Sequence, residues 1–269
     1  MVELADLDNE FSIRGDKVYI YPLSDVHMGS SACNIGFLKY WEKLFNNNKS
    51  ENKIIYLMGD MIDLQSLRIG AWDAEETAEM QIKRFKKFIK PYASYVRCMV
   101  PGNHEKRIVK DFNFDISDLI ADDLGIPYNK YDITDQIIVN GKPFNIFARH
   151  DWNHGKKPVN VISTFITDMQ DNRLGTDLCM VGHNHLCDFR SKPYRTMEDT
   201  IERRYFAFTG HFVDYFNSYA RDMKRPPCPE SFLRFELNKN CKLSHTMYNV
   251  DECCPELVNP NKDKTYGDI

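Results

Sequence analysis

The apolar run Ile54, Ile55, Tyr56, Leu57, Met58 stops at Gly59-Asp60, and a second carboxylate, Asp63, follows three residues later. A strand buried on both faces would deliver both acids to its own C-terminal tip, and Gly59 lets the backbone turn away closely. In open α/β sheets that edge is where ligands bind. If Asp60 ligates a metal, carboxylates, imidazoles and amides should crowd the tips of neighbouring strands. The sequence supplies them: Asp25 and His27; Asn103, His104 and Glu105; His150; His183 and His185. Carboxylate and imidazole donors suit borderline divalent ions such as Mn, Fe, Zn or Ni. No cysteine falls in any of these groups, which argues against a thiolate zinc site.

The elements that would position them follow in order. Residues 11–23 alternate around Arg14-Gly15-Asp16 and read as a hairpin leading into Asp25. Asn34 caps a helix carrying Phe37, Leu38, Trp41, Leu44 and Phe45, so the run to Asp60 is a β-α-β unit. Asp73 and Glu76 resemble a capping box opening a helix to about Lys90. Its Lys83, Arg84, Lys86, Lys87 and Lys90 read as a solvated face rather than a nucleic-acid footprint. A strand from Tyr95 to Val100 ends in Pro101-Gly102-Asn103. A helix spans 116–124, and Asn140-Gly141 turns a hairpin that ends at His150. The segment 158–169 is helical after Pro158, and Asp177 to Val181 is a strand ending at Gly182-His183. Thr200–Thr209, Phe232–Leu237 and Leu243–Val250 read as strands. Residues 1–250 are expected to form a single domain, and 251–269 an irregular tail.

The chain has 269 residues, 42% hydrophobic and 28% charged, which is ordinary globular usage. A formal net charge of −4 gives no global pull toward nucleic acid or an anionic membrane. Eight cysteines are scattered, with Cys253 and Cys254 the only close pair, and so read as free thiols in a reducing compartment. The acidic N-terminus lacks the pattern of a signal peptide, and no run reaches membrane-spanning length. The expectation is a cytoplasmic protein without membrane contact.

Taken in order, the tips read D-x-H, G-D-x-x-D, G-N-H-E, H and G-H-x-H, and here the sequence resembles the calcineurin-like metallophosphoesterase family over roughly residues 17–211. The resemblance implies an α/β fold, a four-layer α/β/β/α sandwich with a two-metal site across the strand tips. It assigns Asp25, His27, Asp60 and His185 to one divalent ion and Asp60, Asn103, His150 and His183 to the other, with Asp60 bridging. Mn is the expected metal, with Fe, Zn or Ni as alternatives. Two such ions would hold a hydroxide for in-line attack on phosphorus. His104 would protonate the leaving oxygen or stabilise the phosphoryl charge, and Asp63 would orient its imidazole and favour the cation.

One branch of that superfamily, the Ser/Thr protein phosphatases, carries Arg-Gly after the second Asp; here Asp63 is followed by Leu64-Gln65. The paired G-H-x-H is instead similar to the phosphodiesterase and nuclease branches. Diester hydrolysis, with nucleic acid or a nucleotide as substrate, is therefore the leading expectation. A phosphomonoesterase or protein phosphatase is the alternative, and an interaction scaffold on the same fold is the reading from another class. Arg107 would contact phosphate, or is a surface arginine opening a helix. His154, with Lys156 and Lys157, would line the cleft, or is a loop histidine. His211 reads as structural, and His245 with Cys253 and Cys254 lacks zinc-finger spacing. The aromatics Phe206, Phe208, Phe212, Tyr215, Phe216 and Tyr219 could stack bases, but core packing explains most of them.

Overall fold

The computed structural model describes residues 11–12, 16–64, 76–151, 158–173, 175–196, 199–214 and 228–258. Strand β3 (Lys53–Met58) is buried along its whole length, and its alternation divides two cores. Ile55 and Leu57 face a core shared with Trp41, Phe45 and Phe85. Ile54, Tyr56 and Met58 face a second one shared with Phe144, Ile146, Leu178 and Met180. This is the period-2 signature of a strand covered on both sides.

β3 pairs in parallel with β2 (Lys17–Leu23) and β4 (Val96–Val100). β2 also pairs antiparallel with β10 (Ser231–Asn238), which carries β11 (Leu243–Asn249) on its other edge. The second sheet joins β5 (Ile133–Val139), β6 (Lys142–Arg149), β7 (Leu178–Val181), β9 (Ile201–His211) and β8 (Cys187–Arg195). Gly210 and His211 at the end of β9 pair with Phe232 and Ser231 of β10, which links the two sheets. Helices α1 (Ile35–Asn47), α2 (Ala78–Ile89) and α4 (Ile116–Leu124) cover the first sheet. α5 (Pro158–Asn172) covers the second through Val161, Phe165 and Met169, against Phe147, Cys179, Phe206 and Phe208. The layers are therefore α/β/β/α, as expected. Among the described residues no helix is long and apolar enough to cross a membrane.

Local signals behave as their chemistry dictates. Asn34 caps α1 by accepting from Phe37 N–H at 3.0 Å. Asn140 and Gly141 turn between β5 and β6 with φ of 51° and 76°. The basic face of α2 is an exposed, ion-paired surface: Lys83 with Glu79, Arg84 with Glu76 and Lys86 with Asp123.

Four expectations are corrected. Residues 11–23 form no hairpin: β1 (Phe11–Ser12) lies parallel to β5 in the second sheet, while β2 lies in the first, where its two apolar faces fill both cores, Tyr21 and Leu23 one and Val18 and Ile20 the other. α2 begins at Ala78 behind the cap Thr77, whose hydroxyl accepts from Met80 N–H; Asp73 lies outside the described residues. β8 was not expected, its polar sequence hiding an antiparallel partner for β9. The segment after Val250 is not irregular at its start: α6 (Val250–Cys253) and a 3-10 turn (Pro255–Leu257) follow, with Val250 and Cys254 buried against the α1 core.

Candidate metal centre

The loops after β2 and β3 run side by side beyond their strands. Asp25 N–H donates to Gly59 O (3.1 Å), His27 N–H to Asp60 O (2.9 Å) and Asp63 N–H to Met28 O (3.1 Å). Among the described residues ten non-glycine residues have positive φ, and six of them lie here: Asp25, His27, Asp60, Leu64, His183 and His185. Each such conformation costs about 1–3 kcal/mol and persists where surrounding structure over-determines it. The over-determination is visible. Helix α3 (Asn103–Phe112) brings in Glu105, 1% exposed, whose Oε2 accepts from Asp60 N–H (3.0 Å) and Gly102 N–H (2.8 Å). Its Oε1 accepts from Met61 N–H (2.8 Å) and Ile62 N–H (3.2 Å). Two glycines allow the crowding: a Cβ on Gly102 would run into the Asp60 carboxylate, and one on Gly182 would sit 2.7 Å from Asp25 Oδ2.

Among the described residues three groups could hold a metal ion: Asp25, His27 and His185; Asp60, His150 and His183; and His27, Asp63 and His104. In the first, Asp25, His27 and His185 converge: His185 Nε2 lies 3.3 Å from His27 Nε2 and 3.4 Å from Asp25 Oδ1. Asp25 Oδ1 is buried and has no hydrogen-bond partner. In the second, Asp60, His150 and His183 converge, joined by Asn103, whose Oδ1 lies 3.1 Å from His150 Nε2 and 2.7 Å from His183 Nδ1. Asp60 Oδ2 sits between them, 3.1 Å from His150 Nε2 and 3.7 Å from His27 Nε2. Outer partners set the rings. His150 Nδ1 lies 2.8 Å from Met58 O, which holds the proton there and leaves the Nε2 lone pair for the centre. Asp63 Oδ1, 3.3 Å from His27 Nδ1, does the same for His27. An orphaned carboxylate oxygen facing converging imidazole nitrogens fits a divalent cation better than it fits any arrangement of protons.

The electrostatics agree. Burial alone lowers the His150 imidazole, but Asp60's charge and hydrogen bond outweigh it and raise the pKa to about 10. His27 is likewise raised against burial by Asp63 and Asp60. Burial raises Asp60 and Asp25, yet the surrounding histidines hold both below the usual carboxylate range. The negative potential that attracts protons to these rings is the potential that attracts metal ions.

His104 differs from expectation. Its Nδ1 donates to the Asp63 backbone carbonyl, while the Asp63 carboxylate lies 3.4 Å away and is shared with His27. Burial, then His27, then Arg107 push its pKa down to about 4, outweighing Asp60 and Asp63. In this arrangement the neutral ring is favoured, not the cation. Arg107 does open onto the site: its Nη1 and Nη2 lie 3.1 and 3.0 Å from the two ring nitrogens of His104. His154, Lys156 and Lys157 lie outside the described residues. The structure thus brings together Asp25, His27, Asp60, Asp63, Asn103, His104, Arg107, His150, His183 and His185. Sequence reasoning counted Glu105 only among the polar residues at the strand tips and missed its clamp on the loop amides, although a glutamate in the first turn of a helix beside glycine is a backbone-clamp signal. It also missed the contact of Asp63 with His27.

A family model described as calcineurin-like phosphoesterase matches residues 19–243. Among solved structures, the chain is similar to a predicted phosphoesterase from Streptococcus pneumoniae TIGR4, at 13% identity and a TM-score of 0.37, covering 87% of this chain and 99% of that one. A metallophosphoesterase from Sphaerobacter thermophilus matches at 13% identity and a TM-score of 0.44, covering 87% and 88%. A putative 5′-nucleotidase from Staphylococcus aureus matches at 10% identity and a TM-score of 0.45, covering 87% of this chain and 54% of that one. The comparison with curated proteins returns no match.

Proposed function

The chain belongs to the calcineurin-like phosphoesterase family of metal-dependent hydrolases acting on phosphoric esters, and on that premise we propose that it cleaves phosphodiesters, with nucleic acid or a nucleotide as substrate. The ligands are Asp25, His27, Asp60 and His185 for one ion and Asp60, Asn103, His150 and His183 for the other, and Mn is the metal we expect. When bound, two divalent ions supply Lewis-acid neutralisation of the phosphoryl charge and a lowered pKa for water at the site.

The observation that carries the diester reading is Leu64. The residue after Asp63 is 2% exposed, and its N–H is tied to Gln81 Oε1 at 2.9 Å. A buried, apolar, clamped position replaces an arginine that would grip the terminal oxygens of a monoester. Arg107 supplies a guanidinium at the reacting region, forked over His104. An entering phosphoryl group draws that fork onto two oxygens, since charge-assisted bidentate contacts outweigh a contact with a neutral ring. His104 is then released at Nε2 and, beside an anion instead of a guanidinium, gains the proton affinity a general acid needs. Asp63 holds the ring from its Nδ1 side throughout. All eight cysteines are free, which supports a reducing, cytoplasmic setting.

The test is a panel in Mn: bis-nitrophenyl phosphate, nitrophenyl phosphate, single- and double-stranded DNA, RNA, cyclic nucleotides and a phosphopeptide. Diester turnover should exceed monoester turnover. Efficient phosphopeptide dephosphorylation with negligible diester cleavage would overturn the proposal in favour of a phosphomonoesterase.

A further inference from the structure

His211 is the last residue of β9 and is 2% exposed. Its neighbours bind the ligand loops on either side. Gly210 N–H donates to Leu186 O at 2.9 Å, immediately after His185, and Phe212 N–H donates to Asp25 O at 3.0 Å. Gly210 makes the turn at φ 90°, where a Cβ would strike Ser231 O. The imidazole between these anchors lies face to face with His185, ring centroids 4.9 Å apart and planes 15° from parallel. His211 Nδ1 accepts from Val213 N–H at 3.3 Å, which leaves the proton on Nε2. That buried Nε2 has no hydrogen-bond partner.

An unmet buried donor is costly, and an apolar side chain of similar size would avoid the cost. The Val213 N–H accounts for Nδ1, but hydrogen bonding leaves Nε2 unexplained, and the contact that remains to the ring is its flat face against His185. We propose that His211 is a positioning residue for the Asp25, His27 and His185 cluster: its ring fixes the His185 imidazole so that Nε2 faces Asp25 and His27. The inference rests on the binuclear reading above.

Two variants of the full chain separate face from nitrogen. H211N keeps an acceptor for Val213 N–H and loses the face; H211F keeps the face and loses both nitrogens. Mn2+ titration by calorimetry is read beside thermal melting in chelator. The wild type should bind two ions. In H211N one binding step should weaken by about tenfold or more, in the range for partners that orient a ligand, while the other step and the chelated melting temperature stay near wild type. H211F should retain both steps. H211N with both steps unchanged, or a folded H211F that has lost one, overturns the proposal. Equal weakening of both steps with a lowered melting temperature also overturns it, in favour of a merely structural role. Should H211N not fold, H211F alone decides by the same criterion. A wild type that binds fewer than two ions overturns the binuclear reading and this inference together.

Discussion

Glu105→Gln changes a single atom type in the clamp that organises the ligand loops, so its effect can be worked out from the four bonds the carboxylate accepts. The two oxygens receive Asp60 and Gly102 N–H on one side and Met61 and Ile62 N–H on the other. A glutamine keeps one oxygen and turns an NH2 group toward the other pair, leaving two buried donors facing a donor. At about 1–3 kcal/mol for each unsatisfied group, the loss is about 2–6 kcal/mol. One term opposes it. Burial, and then the charge of Asp60, raise the Glu105 pKa, so removing its charge relieves some repulsion. The net loss should fall toward the lower end, still a large share of the roughly 5–15 kcal/mol by which domains are stable. At about 2–4 °C per kcal/mol for a chain of this size, melting should drop by about 4–12 °C. The assay is thermal melting in chelator, because bound metal would mask the change by mass action. A variant that melts within about 2 °C of wild type and titrates Mn2+ identically would refute the clamp argument.

Asp60→Asn should abolish binding at both metal positions without unfolding the chain, because Oδ2 lies between the clusters; metal content and turnover near wild type would show that Asp60 does not bridge. His104→Ala should keep both metals and lower turnover by roughly two to four orders of magnitude, with a smaller loss for diesters that have good leaving groups; equal losses for nitrophenolate and alkoxide leaving groups would exclude the acid role. The chelated protein should lose stability as pH rises from 6.5 toward 10. The sign follows from His150, whose folded pKa of about 10 exceeds its ordinary 6.5, so its contribution is full below the lower value and gone above the higher. Asp25 and Asp60, held low, contribute above the carboxylate range and lose that contribution in acid. His104 and His211, held near 4 and 3, also make acid destabilising. A melting temperature in chelator that is flat or rising from pH 6.5 to 9.5 would contradict this. In the same range Mn2+ binding should release protons, measured as a dependence of calorimetric heat on buffer ionisation.

What was legible in the sequence was what one residue's own chemistry announces. The apolar run of β3 specifies a strand covered on both faces, and Asn34, Asn140 and Gly141 specify a cap and a turn wherever they occur. The convergence of the candidate ligands was legible because carboxylates and imidazoles at five strand tips have no common structural use. What stayed hidden depends on partners distant in sequence. The clamp from Glu105 reaches loop amides 43 to 45 residues away, and no local pattern encodes them. β8 has no buried residue and is exposed from Arg190 to Pro193 in a row, so its strand character comes from pairing with β9 rather than from its own composition. The His104 environment was misjudged because the sequence shows Asp63 as a neighbour in the motif. The fold divides that carboxylate between His104 and His27 and places Arg107 against the ring.

The origin of each candidate ligand bears on why the site carries so much strained backbone. Asp25, His27, Asp60 and Asn103 follow β2, β3 and β4 of one sheet; His150, His183 and His185 follow β6 and β7 of the other. Ordinary extended backbone would carry each set straight past the sheet edge and leave the two sets about 10 Å apart, the usual spacing of packed sheets. Positive φ at Asp25, His27, Asp60, His183 and His185 bends both sets across the seam. The bend is held by contacts that themselves cross it: His183 N–H donates to Asp25 Oδ2 at 2.9 Å, and His150 Nδ1 meets Met58 O. His211 acts at the same seam, on the strand that joins the sheets through Phe232 and Ser231. The ligand set is thus a property of how the two sheets are docked, and a substitution that shifts that docking should disturb metal binding before it disturbs either sheet.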